Sequence, residues 1–402
     1  MTGPDAASGN QKETRLPRRD WILLPMLGLL TICLIAACSE TIARRLFSES
    51  KKGAGSCFVI NDPSTGARGI PNCSVWGKDA ESPWVEYRFN RCGHRAGMEC
   101  GQKPPLTYRI VMIGSSVPMG DYVQREKTFA ALLPLELSQE TGHTIELYNE
   151  GMGWGFSHSS DLRFNDALKE DPDLILWVLT PTDIQRASLV LPTADQDPWA
   201  NLSLPKKAWK RLQTGLASGS FADVASDAFG RTRTALMLRH LLYKSQSQYV
   251  KSFLASGDAN AGYLKVEQSA EWRKDLQQFS SDAADMEARS RTAGVPFAAV
   301  LVPDHAQAAM ISMGEWPQGY DPYKLDNVLR AIIASHGGIY IDILPGFRSI
   351  PNVEQYTFPV ENHPTPAGHA MISGLLARAL SDGTVPALKA ATPHQPAYEQ
   401  GR

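Results

Sequence analysis

Cysteine is absent from three quarters of the chain: none of the 302 residues after Cys100 is a cysteine. Any disulfide or thiolate-metal framework is thereby confined to residues 1–100. Excess charge of either sign is also missing. Forty basic residues against 42 acidic ones give a formal net charge of −2, so there is no electrostatic reason to expect a nucleic-acid partner. Long apolar runs are missing except for one, which excludes a multi-span membrane protein. Neither a Gly-x-Gly-x-x-Gly nor a Gly-x4-Gly-Lys-Ser/Thr phosphate loop occurs, and no His/Asp/Glu cluster stands at metal-ligand spacing along the sequence, so no cofactor is called for. With 43% hydrophobic and 20% charged residues, the composition excludes a disordered or collagen-like chain.

The one apolar run is WILLPMLGLLTICLIAACS, uncharged from Trp21 to Ser39. About 20 apolar residues span a bilayer core as a helix. Pro25 lies near the start, where a lost backbone hydrogen bond matters least. Three readings compete: a removed signal peptide, a lipoprotein signal with Ile35-Ala36-Ala37-Cys38 as its box, and an uncleaved single-pass anchor. The long polar stretch 1–20 and the helical continuation through Arg44 and Arg45 favour the anchor. Four Lys/Arg precede the run and four follow it (Arg44, Arg45, Lys51, Lys52), so the positive-inside rule decides little.

Four of the six cysteines, Cys57, Cys73, Cys92 and Cys100, fall within 44 residues, at spacings that match no common zinc pattern. Two disulfides in an oxidising compartment are the simplest reading; four buried thiols are the alternative. Neighbour pairing is preferred among the three possible connectivities. The bulk of the chain is then outside the cytoplasm, facing the periplasm from the inner (plasma) membrane. Residues 40–105 read as a Gly/Pro/Ser-rich collar holding these cysteines.

From Tyr108 the character changes. YRIVMIGSS, TIELYNEG and PDLILWVLT read as buried strands, separated by the helical patterns FAALLPLELSQETG and SSDLRFNDALKED. After a mostly helical insertion at about 186–265, the alternation resumes with a long helix at 270–294, VPFAAVLVP, LDNVLRAIIASHGG, IYIDIL and AGHAMISGLLARAL. The alternation predicts an α/β fold, a three-layer α/β/α sandwich with a central parallel sheet, over 106–381. Basic stretches of the insertion could touch anionic lipid; a solvated helical face is the plainer reading. The tail 382–402 is Pro/Ala-rich and reads as flexible.

In an open parallel sheet, ligands bind beyond the carboxyl ends of the strands. There stand Gly114-Ser115-Ser116, Asn149-Glu150-Gly151-Met152-Gly153-Trp154-Gly155, Thr180-Pro181-Thr182-Asp183 and, before the last helix, Glu361-Asn362-His363-Pro364. A serine in a strand-to-helix turn presents its hydroxyl at the sheet edge. Alternating glycines bare their N–H groups. Thr and Asp also favour helix N-caps. A histidine ahead of proline, with a carboxylate two residues before it, suits a general base. Asp304-His305 reads as a loop, or as a second polar pair near the cleft.

Taken together, these blocks resemble the SGNH, or GDSL, hydrolases of the membrane-anchored bacterial type. YRFNRCGHRAGM, PPLTYRIVMIGSSVPMG, PDLILWVLTPTD and HPTPAGHAMISGLLARAL occur in the family's order, over about 85–190 and 290–380. The resemblance implies a flavodoxin-like fold, Ser116 as nucleophile and His363 as base, with an oxyanion hole from Ser116, Gly153 and Thr182. Three departures stand out. Ser115 replaces the family's Asp, Thr182 replaces its oxyanion Asn, and Val360 occupies the position of its usual acid. Glu361 is the nearest carboxylate, Gln185 and Trp154 are further donor candidates, and His369 reads as structural. Two classes of function follow. One is an anchored serine esterase or O-acyltransferase for acyl esters, acetyl esters foremost, on a small molecule or a surface or secreted glycan. The other is a catalytically weak relative that binds a glycan or an assembly partner.

Overall fold

The computed structural model describes residues 19–50, 52–59, 66–153, 155–185 and 229–390. The expectations for 1–18, Trp154, 186–228 and 391–402 lie outside the described residues. Helix α1 (Asp20–Leu46) is long and apolar enough to cross a membrane, with its apolar side chains exposed. Its last two turns behave differently. Ala43 is fully buried, because the helix packs there on the later helix Arg233–Leu242.

The collar is less irregular than its composition suggests. β1 (Phe58–Val59) pairs with β2 (Arg68–Gly69), and β3 (Ser74–Gly77) with β4 (Val85–Arg88), both antiparallel. Disulfides join Cys57 to Cys73 and Cys92 to Cys100, with Cα atoms 5.6 and 6.2 Å apart. Val85, Tyr87 and Phe89 form a small apolar cluster that also takes in Met119 and Met152. The collar therefore shares a core with the turns that follow the first two strands of the main sheet.

That sheet has five parallel strands in the order β6 (Thr144–Asn149), β5 (Thr107–Gly114), β7 (Leu174–Leu179), β8 (Phe297–Leu301), β9 (Ile339–Ile341). This is the 2-1-3-4-5 order of a doubly wound sheet with its switch point between β5 and β7. Every residue of β7 and β8 is buried, as strands covered on both faces must be. The crossover connections divide the helices between the two faces. α2 (Ser116–Met119) and α3 (Phe129–Thr141) follow β5, α4 (Ser157–Lys169) follows β6, and α5 (Pro181–Gln185) follows β7. The described part of the insertion is helical: α6 (Arg233–Leu242), α7 (Gln246–Ala255) and α8 (Asp258–Ala261). α9 (Ala270–Ala293), α10 (His305–Met313), α11 (Lys324–His336) and α12 (Pro366–Ser381) complete the chain. α3 packs on α12 over one face; α4 packs on α9, which meets α11, over the other. Trp177 stacks on Phe279 at 5.0 Å between sheet and helix.

Two expectations are corrected. Asp304 and His305 are not a loop or a polar pair at the cleft. Asp304 caps α10, accepting from the Gln307 amide at 2.9 Å, and His305 is fully buried, stacked on Tyr249 at 3.9 Å. The tail is folded as far as Ala390, because Val385 and Leu388 insert into the main core.

The Cys57–Cys73 bridge closes a loop of 16 residues, so losing it should cost about 3 kcal/mol by the loop-entropy relation. Replacing both cysteines by serine is expected to lower the denaturation midpoint accordingly, and a non-reducing peptide map should find each cysteine linked to its sequence neighbour.

Candidate active site

β5 ends in Gly114, whose φ of +141° suits only glycine; a Cβ there would lie 2.3 Å from the Val178 carbonyl oxygen. The chain can thus pass tight against β7 and turn at once into α2. Ser116 is the first residue of that helix. Its hydroxyl lies 2.9 Å from His363 Nε2. His363 ends a turn closed by the bond from the Phe358 amide to the His363 carbonyl at 2.9 Å, just ahead of Thr365, the N-cap of α12.

The imidazole is held on three sides. Nδ1 is 3.2 Å from the Glu361 carbonyl oxygen and 3.5 Å from its carboxylate. The Tyr122 ring meets the imidazole edge-on at 4.8 Å. Burial alone would lower the His363 pKa. The Glu361 carboxylate and carbonyl, with the nearby charge of Asp121, outweigh it and hold the imidazole above its ordinary 6.5.

Ser116, Gly153, Thr182 and His363 line one cavity of about 480 Å³. Among the described residues, the amides of Ser116 and Gly153 make no hydrogen bond, whereas the Gly151 amide is taken by Asn149 Oδ1 at 2.9 Å. The Phe58 ring leaves no room for a side chain at Gly153. Thr182 is exposed within the cavity. Its neighbour Asp183 turns inward and accepts from the Thr180 amide and hydroxyl at 2.7 and 2.8 Å, the reciprocal half of a capping box. Burial pushes the Asp183 carboxyl up to about 6, against the Ser115 and Thr180 hydroxyls and the charge of His363. Trp154 lies outside the described residues; Gln185 is half-buried in the last turn of α5.

Several supporting residues carry no motif. Arg95, from the collar, is buried beneath the turn that carries Ser116 and donates to the carbonyls of Met119, Gly120 and Val123. Asn149 donates to the Pro118 carbonyl at 2.9 Å, and Arg163 to the Glu150 carbonyl at 2.7 Å. Asp121 accepts from the Tyr87 hydroxyl at 2.6 Å. Only a polar residue within an otherwise apolar or glycine-rich block could have flagged them. His369 is fully buried, accepts from the Phe129 amide at 3.2 Å and stacks on that ring. Burial drops its pKa to about 3, which keeps it neutral.

Folding also gathers two groups that sequence spacing does not reveal: His94 with Glu150 and Glu170, and His158 with Asp161 and Asp282. None of these six side chains lines the Ser116 cavity. An arginine accompanies each group, Arg163 beside Glu150 and Arg289 on Asp161. That positive charge already balances part of the acid a cation would need.

No family model matches the chain, and no curated protein matches it. Solved structures do. A lipase/acylhydrolase from Enterococcus faecalis is similar at 13% identity and a TM-score of 0.37, over 68% of this chain and 95% of its own. TesA is similar at 12% and 0.36, over 68% and 98%. A mutant of Axe2, an acetyl-xylooligosaccharide esterase from Geobacillus stearmophilus, is similar at 11% and 0.35, over 68% and 94%. At such identity and superposition these likenesses decide nothing about chemistry, which rests on the site's own geometry.

The His363 environment sets a titration. Its imidazole should lose its proton above pH 6.5, and Glu361→Gln should move the midpoint down by removing the nearest negative charge. NMR titration of the ring protons measures both; a wild-type midpoint at or below 6.5 contradicts the assignment.

Proposed function

We propose that the protein is an SGNH-type serine esterase or O-acyltransferase, held at the plasma membrane by α1 with its catalytic domain outside the cytoplasm. One observation carries this reading: the 2.9 Å contact between Ser116 Oγ and His363 Nε2 at the wall of a cavity. A hydroxyl with a base in reach and unpaired amides nearby is the arrangement that acyl transfer requires.

In this scheme Ser116 Oγ attacks the ester carbonyl as His363 Nε2 takes its proton, a role worth about 10²–10⁴ in rate. The Glu361 carbonyl fixes Nδ1–H, and the Glu361 carboxylate and Asp121 stabilise the imidazolium. The Ser116 and Gly153 amides and the Thr182 hydroxyl stabilise the oxyanion. His363 returns the proton to the leaving alkoxide, giving an acyl-Ser116 intermediate. Water or a sugar hydroxyl then attacks with His363 as base again. The base must be neutral, so activity falls as pH drops through the raised His363 pKa. Acetyl esters, on a small molecule or a surface or secreted glycan, fit a cavity of about 480 Å³.

A second reading has its own support. Thr182 offers a short hydroxyl where the resemblance expects an amide, and a missing oxyanion donor costs about 10²–10³ in rate. A chain so weakened would serve as a binding or assembly protein for a glycan.

The test is hydrolysis of p-nitrophenyl acetate by the full chain in detergent. Ser116→Ala and His363→Ala should each lower kcat by at least about 10²-fold without changing the melting temperature. Undiminished turnover in Ser116→Ala contradicts the mechanism. Thr182→Asn should raise turnover if the shorter donor limits the rate; no change assigns that role elsewhere.

A further inference from the structure

Glu81 belongs to no catalytic block, yet its side chain is 1% exposed and bonds to both the histidine turn and α6. One carboxylate oxygen accepts from the amides of Val360 and Glu361 at 2.9 and 2.8 Å. Those two residues lie within the turn that ends in His363. The other oxygen meets His240 Nδ1 on α6 at 2.5 Å. A buried carboxylate needs several donors to be tolerated, and here it takes them from two separate elements.

His240 in turn stacks edge-on against Phe47, just past α1, at 5.2 Å. At its other end α6 is capped by Glu40 of α1, which accepts from the amides of Arg233 and Thr234 at 3.3 and 3.0 Å. Arg233 also pairs with Glu49 at 2.5 Å, and Glu49 and Lys52 line the Ser116 cavity. The apolar helix is therefore not a loose tether. The segment after it forms part of the cavity wall, and its last turns are joined through α6 and Glu81 to the histidine turn.

We propose that Glu81 is a positioning residue for His363, and that His240 ties its carboxylate to the α1–α6 pair. This rests on the reading of Ser116 and His363 as a hydrolytic pair. A displaced base costs rate rather than substrate affinity, and a shift of about 1 Å is worth about 10²-fold. Because the Val360 and Glu361 amides share one oxygen, a glutamine can replace the carboxylate, with its carbonyl on the two amides and its NH2 toward His240 Nδ1. Aspartate keeps the charge but falls one methylene short.

The test uses the full chain in detergent with two readouts. With p-nitrophenyl acetate, Glu81→Asp should lower kcat by about tenfold or more with KM unchanged, and Glu81→Gln should restore it to near wild type. By hydrogen–deuterium exchange, the peptide spanning 358–365 should exchange faster in Glu81→Asp and in His240→Ala, but not in Glu81→Gln. Wild-type kcat and wild-type exchange in Glu81→Asp overturn the inference. Unchanged exchange in His240→Ala overturns the link to α6. Exchange reads the turn whether or not the enzyme turns over. Wild-type protein without Ser116-dependent hydrolysis therefore defeats the functional reading alone, while faster exchange in Glu81→Asp still supports Glu81 as the residue that holds the turn.

Discussion

The hydrogen bond between Ser116 and His363 joins side chains 247 residues apart, and the rest of the structure exists in register with it. One such bond contributes about 1 kcal/mol net, far less than the ordering of two loops costs. It is therefore a result of the scaffold and does not hold the loops itself. On the serine side the scaffold is the β5–α2 turn, set by Gly114 against β7 and by the Arg95 guanidinium below it. On the histidine side it is the turn closed between Phe358 and His363, the Thr365 cap of α12 and the two amides gathered by Glu81.

The collar changes meaning in this light. Its apolar cluster takes in Met119 and Met152, one from each of the first two site loops. Its polar residues Arg95 and Glu81 each support one half of the Ser116–His363 pair. Two disulfides keep this small subdomain ordered where its own core of few large side chains is thin. The site is thus assembled between the sheet edge and the collar, with the segment that follows α1 forming part of its wall.

Much of this was legible in the sequence. Continuous apolar strands, helical periodicity between them and the glycine stops gave the sheet and its covering helices, since buried parallel strands leave just that pattern. The residues at the strand ends followed from the rule that a parallel sheet binds at its carboxyl edge. What escaped has physical reasons. HAQAAMISM shows no polar stripe because α10 is buried almost all round, so it lacked the amphipathic signature of a helix. Val385 and Leu388 were masked by Pro/Ala-rich neighbours. Arg95 and Glu81 act through backbone carbonyls and amides, and a contact to backbone leaves no partner residue type for a motif to display.

The central claim is that His363 activates Ser116. The most direct measurement is labelling of the intact protein with a fluorophosphonate, followed by peptide mass spectrometry, in wild type and in His363→Ala. The account predicts one adduct, on Ser116, formed in wild type and lost or greatly slowed in His363→Ala while the fold persists. Folded wild-type protein that stays unlabelled, or equal labelling in the two forms, would contradict it.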